Sequence, residues 1–402
     1  MLRSSLSLAA VLSAILLLAV PARADVIVSS PAQLRAAIIA ANAGGDPTIL
    51  LEDGTYTLPG DYYLSIEAPG VTIRSRSGDR EAVVVQGQGM GQSPESIFKV
   101  TGDDFTCRDM TLRRTGNHVI QIRGESDCDG TVLKNLVIQD GYEQLVKISG
   151  NSGGNWSNGG LMEGCLLEYT AGIGPQWYIG GIDGHRCRNW TVRNNVFRHI
   201  ISPQSSLAEH AVHFWSWSED TLVEGNLIFN CDRGIGLGLG DSGHVRGVVR
   251  NNMLVHDGHC AGDVGIGLES CAGAQVYNNS VYLAHDYFAA IEYRFAATSN
   301  ALIANNLTNR PIVSRNGGSG TLSHNVTTAQ STWFVDALAG NLHLASRVPG
   351  VVDAGTRDIP NLPSPFLDFD GKPRACEAVD IGADEICDQN RAMAAIFLLL
   401  ND

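Results

Sequence analysis

The stretches GVVRNNMLV (247–255), AQVYNNSVY (274–282) and ALIANNLTN (301–309) repeat one phrase, in which alternating apolar residues lead to an Asn and then to apolar-x-apolar. Further copies lie upstream: TVLKNLVI (131–138), LMEGCLL (161–167), TVRNNVF (191–197) and LVEGNLIF (222–229). Aligned on Asn135, Gly164, Asn195, Asn226, Asn252, Asn279 and Asn306, the copies step by 29, 31, 31, 26, 27 and 27 residues. A repeat of this length is one supersecondary unit that must stack on its neighbours to bury its apolar face. The period-2 alternation marks each unit as strands, and Gly and Asn punctuate the joins. The expected fold is all-β: a right-handed parallel β-helix over 25–330 with a short N-terminal capping helix, then a closing segment over 331–402. Asn side chains stacked in one column can satisfy buried backbone groups of adjacent coils, so the column reads as a structural ladder.

Working outward, SPAQLRAAIIAANAGG (30–45) predicts the cap. Ser30-Pro31 starts a helix, Leu34, Ala37, Ile38 and Ala41 share a face, and Gly44-Gly45 ends it. Such a helix covers the apolar end of the stack. Residues 1–24 read as a signal peptide: Arg3, an apolar run, and Ala22-Arg23-Ala24 as an A-x-A cleavage site. Its removal takes the 28 basic residues to 26 against 42 acidic ones. That balance argues against nucleic acid and anionic membranes as partners. The expectation is a secreted monomer, periplasmic or extracellular. Nine cysteines allow disulfides in that setting, with Cys260–Cys271 and Cys376–Cys387 the nearest pairs in sequence.

A second strand follows each Asn phrase: LVKISG, YIGGIDG, AVHFWSW, GIGLGLG, VGIGLES, AAIEYRF and PIVSRNG. Aligned by inward apolar residues, one outward column reads Lys147, His213, Gly236, Gly267, Glu292, and the next reads Ser149, Trp215, Gly238, Glu269, Arg294. Side chains alternate across a strand, so these columns share one face. A floor of glycines rimmed by His, Trp, Glu and Arg suits a sugar polymer. The loops before these strands carry Glu209-His210, Asp232-Arg233, His256-Asp257, His259, Asp263 and His285-Asp286-Tyr287. Seven of the eleven histidines fall between 199 and 285. A His beside a carboxylate serves as a base or metal ligand, although the same pairs also cap turns.

The coil phrases, the stretch VSSPAQLRAAIIAANAGGDPTILLEDGTY (28–56) and the closing DFDGKPR and VDIGADE together resemble bacterial secreted β-helix proteins of the pectate-lyase-like type. The N-terminal stretch is similar to the opening of the chondroitinase B and alginate lyase family. That resemblance implies polysaccharide chemistry, with a Lys and an Arg on neighbouring coils beside a calcium-binding carboxylate cluster. The polygalacturonase pattern of N-x-D, D-D, G-H-G and R-x-K is absent. The reading is a lyase that cleaves an acidic, uronic-acid-containing polysaccharide by β-elimination. It needs a base for the proton beside the carboxylate and a cation for the carboxylate itself. His213 is the expected base and Arg294 the neutraliser, with His256 and His285 as acid or substrate-binding groups. Lys147, Trp215, Glu292, Tyr287 and Arg233 would bind substrate, and Asp257, Asp263 and Glu269 would hold Ca2+. The alternatives are a glycoside hydrolase or epimerase on the same scaffold, or a noncatalytic adhesive β-helix.

Overall fold

A computed structural model describes residues 25–386 except 61, 62, 152 and 375–377. The signal peptide, Cys376, Cys387 and the apolar C-terminal run therefore lie outside the described residues. The chain is a parallel β-helix. A ten-stranded face runs from Leu64–Ile66 through Val146–Ser149, Ile182–His185, His210–Trp215, Arg233–Leu237, Ile266–Glu269 and Ile291–Arg294 to Ile312–Arg315, every pairing parallel. A short five-stranded face supplies the third side between Ser157–Asn158 and Cys271–Ala272. The Asn phrases form the remaining wall as two runs of strands, such as Val248–Arg250 and Met253–His256, with a bend between them.

That bend explains the doubled asparagines. The first residue of each doublet takes the left-handed conformation: φ is +57° at Asn194, +53° at Asn251, +53° at Asn278 and +54° at Asn305. Asn tolerates this region better than most residues, and glycine fills it at Gly164 and Gly225. Asn135, at φ +51°, and Gly164 belong to this bend column, so the sequence alignment that joined them to the ladder was one residue out of phase. The inward ladder is Cys165, Asn195, Asn226, Asn252, Asn279, Asn306 and Asn325. Asn252 shows its construction: Nδ2 donates to Val223 O (3.0 Å) and Asn279 Oδ1 (2.9 Å), while Oδ1 accepts the Asn226 backbone N–H at 2.9 Å. The Asn side chains from Asn195 to Asn306 are buried and satisfied, as an interior polar column requires, and Asn325 at its end is half-buried.

The bend column has a second use in the last coils. Asn251 Nδ2 donates to Leu367 O, Asn278 Nδ2 to Asp380 O, and Asn305 Nδ2 to Thr356 O. The segment after the ladder thus returns along the flank of the stack. An apolar cluster of Met253, Val255, Leu307, Phe334, Leu342 and Ile381 seals it there. Arg374, 2% exposed, anchors the segment through Glu385 and the carbonyls of Gly382 and Ala383.

At the other end, helix Pro31–Asn42 begins at Ser30, whose hydroxyl caps the Gln33 N–H, and buries Leu34, Ala37, Ile38 and Ala41. Inside the stack, Val146, Ile182, Val212, Ile235, Ile266 and Ile291 lie at successive register positions and are fully buried. Burying each such side chain contributes roughly 1.5–3 kcal/mol. All seven described cysteines are free thiols, so Cys260 and Cys271 are not bonded to each other.

Candidate active site

The ten-stranded face sets the outward column in register as Lys147, Asp183, His213, Gly236, Gly267 and Glu292. Its neighbour runs His185, Trp215, then Glu269, Arg294 and Arg315. Asp183 and His185 come from the IDGH strand, whose polar residues the sequence columns passed over. They complete the most charged part of the face. Lys147 pairs with the Asp183 carboxylate and lies 3.0 Å from His185 Nε2. Trp215 Nε1 donates to Asp183 Oδ1 at 2.8 Å. Burial works against the Asp183 charge, but His185 and the Lys147 ammonium outweigh it and hold the carboxyl well below its usual range.

Two of the expected groups are therefore structural in position. Lys147 is 7% exposed and committed to Asp183, and the Trp215 indole packs against the ring of His213, at 5.6 Å and 12° between planes, instead of standing free as a sugar plate. His213 is itself 1% exposed. Its Nε2 hydrogen-bonds Gly238 O at 3.3 Å, and its Nδ1 lies 3.8 Å from Asp183 Oδ1 and 4.0 Å from Glu209 Oε2. The expected base is thus under the surface, and the imidazole that lines the adjoining cleft is His210.

A cleft of about 420 Å³ opens beside this pair, lined by Glu209, His210, Arg233, Glu269, Glu292 and Arg294 over Gly236, Gly238 and Gly267. His210 opens its strand, and its ring lies across Gly236, where an added Cβ would meet ring atoms at 2.8 Å. Burial, then the neighbouring His213 and Arg233, push His210 well below the ordinary imidazole pKa, so it is neutral at pH 7. Burial lowers His213 as well, against the pull of Asp183 and Glu209.

Most carboxylates of the cleft are matched by a guanidinium. Arg233 Nε meets Asp263 at 3.0 Å, Arg294 Nη1 meets Glu269 at 2.7 Å, and Arg315 meets Glu292 at 2.9 Å. Tyr287 donates to Glu292 at 2.8 Å and accepts from Arg315 at 3.0 Å, which locks that corner. The Nε of Arg294 is buried without a hydrogen-bond partner.

The proposed calcium ligands do not share a site. Asp263 is held by Arg233 and Glu269 by Arg294, while Asp257 bonds to His259 and Asn230 in a turn. Among the described residues these three carboxylates form no ligand cluster, so they do not fit the oxygen-rich shell that Ca2+ takes. His256 and His285 meet edge to face at 4.6 Å but lie outside the cleft lining, 1% and 5% exposed. Their Nδ1 atoms accept the backbone N–H groups of Gly258 and Tyr287. They build turns, the plainer of the two readings open to a His-Asp pair.

No protein-family profile matches this sequence, and no curated protein is similar to it by sequence. Solved structures are similar. Pectate lyase Pel9A superposes with a TM-score of 0.62 at 15% identity, covering 91% of this chain and 97% of that one. A mannuronic acid specific polysaccharide family 6 lyase from human gut microbiota gives 0.44 at 16% identity, over 74% of this chain and 79% of that one. An alginate lyase from Paenibacillus sp. strain FPU-7 gives 0.44 at 13%, over 75% and 99%. At such identities the likeness to Pel9A shows the fold alone, a parallel β-helix. Among the described residues no helix is long and apolar enough to cross a membrane.

Proposed function

We propose that the protein is a polysaccharide lyase that cleaves a uronic-acid-containing chain by β-elimination. One observation carries this reading: a neutral imidazole, His210, and the guanidinium of Arg294 line the same glycine-floored cleft. Similarity to Pel9A supplies the scaffold on which such chemistry is known in that protein's own name.

A uronate carboxylate seated against Arg294, with Arg233 beside it, has its charge offset, and the adjacent C–H becomes more acidic. His210 takes that proton. The electron pair left on carbon forms the C=C bond and expels the glycosidic oxygen two atoms away. The imidazolium then returns the proton to the leaving oxygen on the same face, so the base is regenerated. No water is consumed. His213 and Asp183 act behind His210, fixing its surroundings without touching substrate. Asp263, Glu269 and Glu292 each face an arginine and Glu209 is the one lining carboxylate without such a partner, so a uronate seated here shares Arg294 with Glu269.

Mass spectrometry of the products tests the reaction type. Elimination yields a new end lighter by one water than the hydrolytic one. Products carrying only hydrolytic ends would replace this reading with a glycoside hydrolase.

A further inference from the structure

We propose that Glu209, His210 and His213 form a binding site for a borderline transition-metal dication of the Zn2+ class. One donor atom from each of the three lies within 4.8 Å of the others. The ligand set, two imidazole nitrogens and a carboxylate, suits Zn2+ and not the all-oxygen preference of Ca2+.

Independent observations point the same way. His213 is 1% exposed and makes its hydrogen bond through Nε2, to Gly238 O. That bond makes Nε2 the protonated nitrogen and leaves the Nδ1 lone pair aimed between Glu209 and Asp183, at 4.0 and 3.8 Å, too far for either to be a hydrogen bond. The Nδ1 of His210 is buried without any hydrogen-bond partner. Glu209 lacks the arginine that the other lining carboxylates have, so a positive charge is missing where these atoms converge. Ligand atoms around a tetrahedral Zn2+ lie about 3.4 Å apart, for bonds of roughly 2.1 Å. Glu209, with its side chain 21% exposed, has room to close that gap. Three protein ligands leave a fourth position open, as a site at the wall of the cleft needs.

One consequence rests on the lyase reading. A nitrogen of His210 that holds a metal cannot also accept a proton, so the loaded protein is silent in elimination and a chelator restores it. The binding claim stands apart from that and is measured without substrate. Chelator-stripped protein titrated calorimetrically with Zn2+ alone should take up one ion per chain, and Ca2+ should give no heat. Glu209→Gln and His210→Asn, both checked for a native circular dichroism spectrum, should weaken Zn2+ binding at least tenfold. His343→Asn is the control, since His343, Asp370 and Asp384 are the other described group whose donors converge. Absence of Zn2+ uptake overturns the site, and so does uptake that survives Glu209→Gln and His210→Asn but is lost in the control variant. Should elimination be detected and rise with Zn2+, the inhibitory consequence falls while the site stands.

Discussion

The ring of His210 occupies the space that a side chain at Gly236 would take: an added Cβ would sit 2.8 Å from ring carbon and nitrogen atoms. The glycine in the next coil is what lets the imidazole lie along the cleft wall. Gly236→Ala should therefore displace the His210 ring while leaving the coil itself intact, because position 236 lies within a regular parallel pairing, His213 with Gly236 and Gly236 with Gly267. We expect a fall in kcat of about 10²-fold, the scale of a misplacement near 1 Å. The readout is kcat beside a thermal melt, with the melt nearly unchanged.

Rate should also report the charge on His210. Burial depresses its pKa, so the neutral, proton-accepting form persists below pH 6.5. The expected profile of kcat/KM rises with pH through a point below 6.5 and is flat above it. An acid limb centred above 6.5 would count against His210 as the base.

Stability carries the same sign from other histidines. Burial lowers His118 to about 4 and His244 to about 3; His244 is fully buried and His118 nearly so. A base with a depressed folded pKa is neutral when folded, but the unfolded chain protonates it near 6.5. The unfolded state thus binds more protons between about pH 4 and 6.5, and stability is lost as pH falls through that window. Each histidine contributes a loss of about 1.4 kcal/mol per pH unit there. Urea denaturation at pH 7 and pH 5 measures it.

The two asparagines of a doublet should fail differently. Asn252→Ala removes the ladder bonds to Val223 O and Asn279 and orphans the Asn226 N–H, all inside the wall. Each orphaned buried group costs about 1–3 kcal/mol, so we expect a large loss of global stability. Asn251→Gly keeps the left-handed bend and removes the bonds to Leu367 and Arg374, so it should chiefly loosen the returning segment. Limited proteolysis near residue 367 separates the two effects.

The fold was legible because a parallel β-helix writes itself locally. Leu34, Ala37, Ile38 and Ala41 named the cap, and the alternation around Asn252 and Asn279 named the wall. The phase of the ladder was not fully legible, since an Asn in the left-handed bend and an Asn in the interior differ only in position, as Asn135 shows. The outward column at Lys147, His213, Gly236, Gly267 and Glu292 matches the structure's register. Depth was hidden: period-2 reasoning says which face a side chain takes, not whether neighbours bury it. His213 lies under Trp215 and His210, and Asp183 escaped notice because glycines surround it in YIGGIDG. The doubled His-Asp pairs pointed to chemistry, yet a His at a turn accepts backbone N–H groups as readily, and His256 and His285 do so.

The central claim is elimination by His210 against Arg294. Ultraviolet absorbance from unsaturated uronate, followed across a panel of acidic polysaccharides with wild type, His210→Asn and Arg294→Ala, tests it most directly. The account predicts a rise on a uronate polymer with wild type, and at least about a 10²-fold loss in each variant, the lower end of the range for removing an acid–base group or an electrostatic one. Silence of the folded wild-type protein on every polymer, or full activity of His210→Asn, would contradict it.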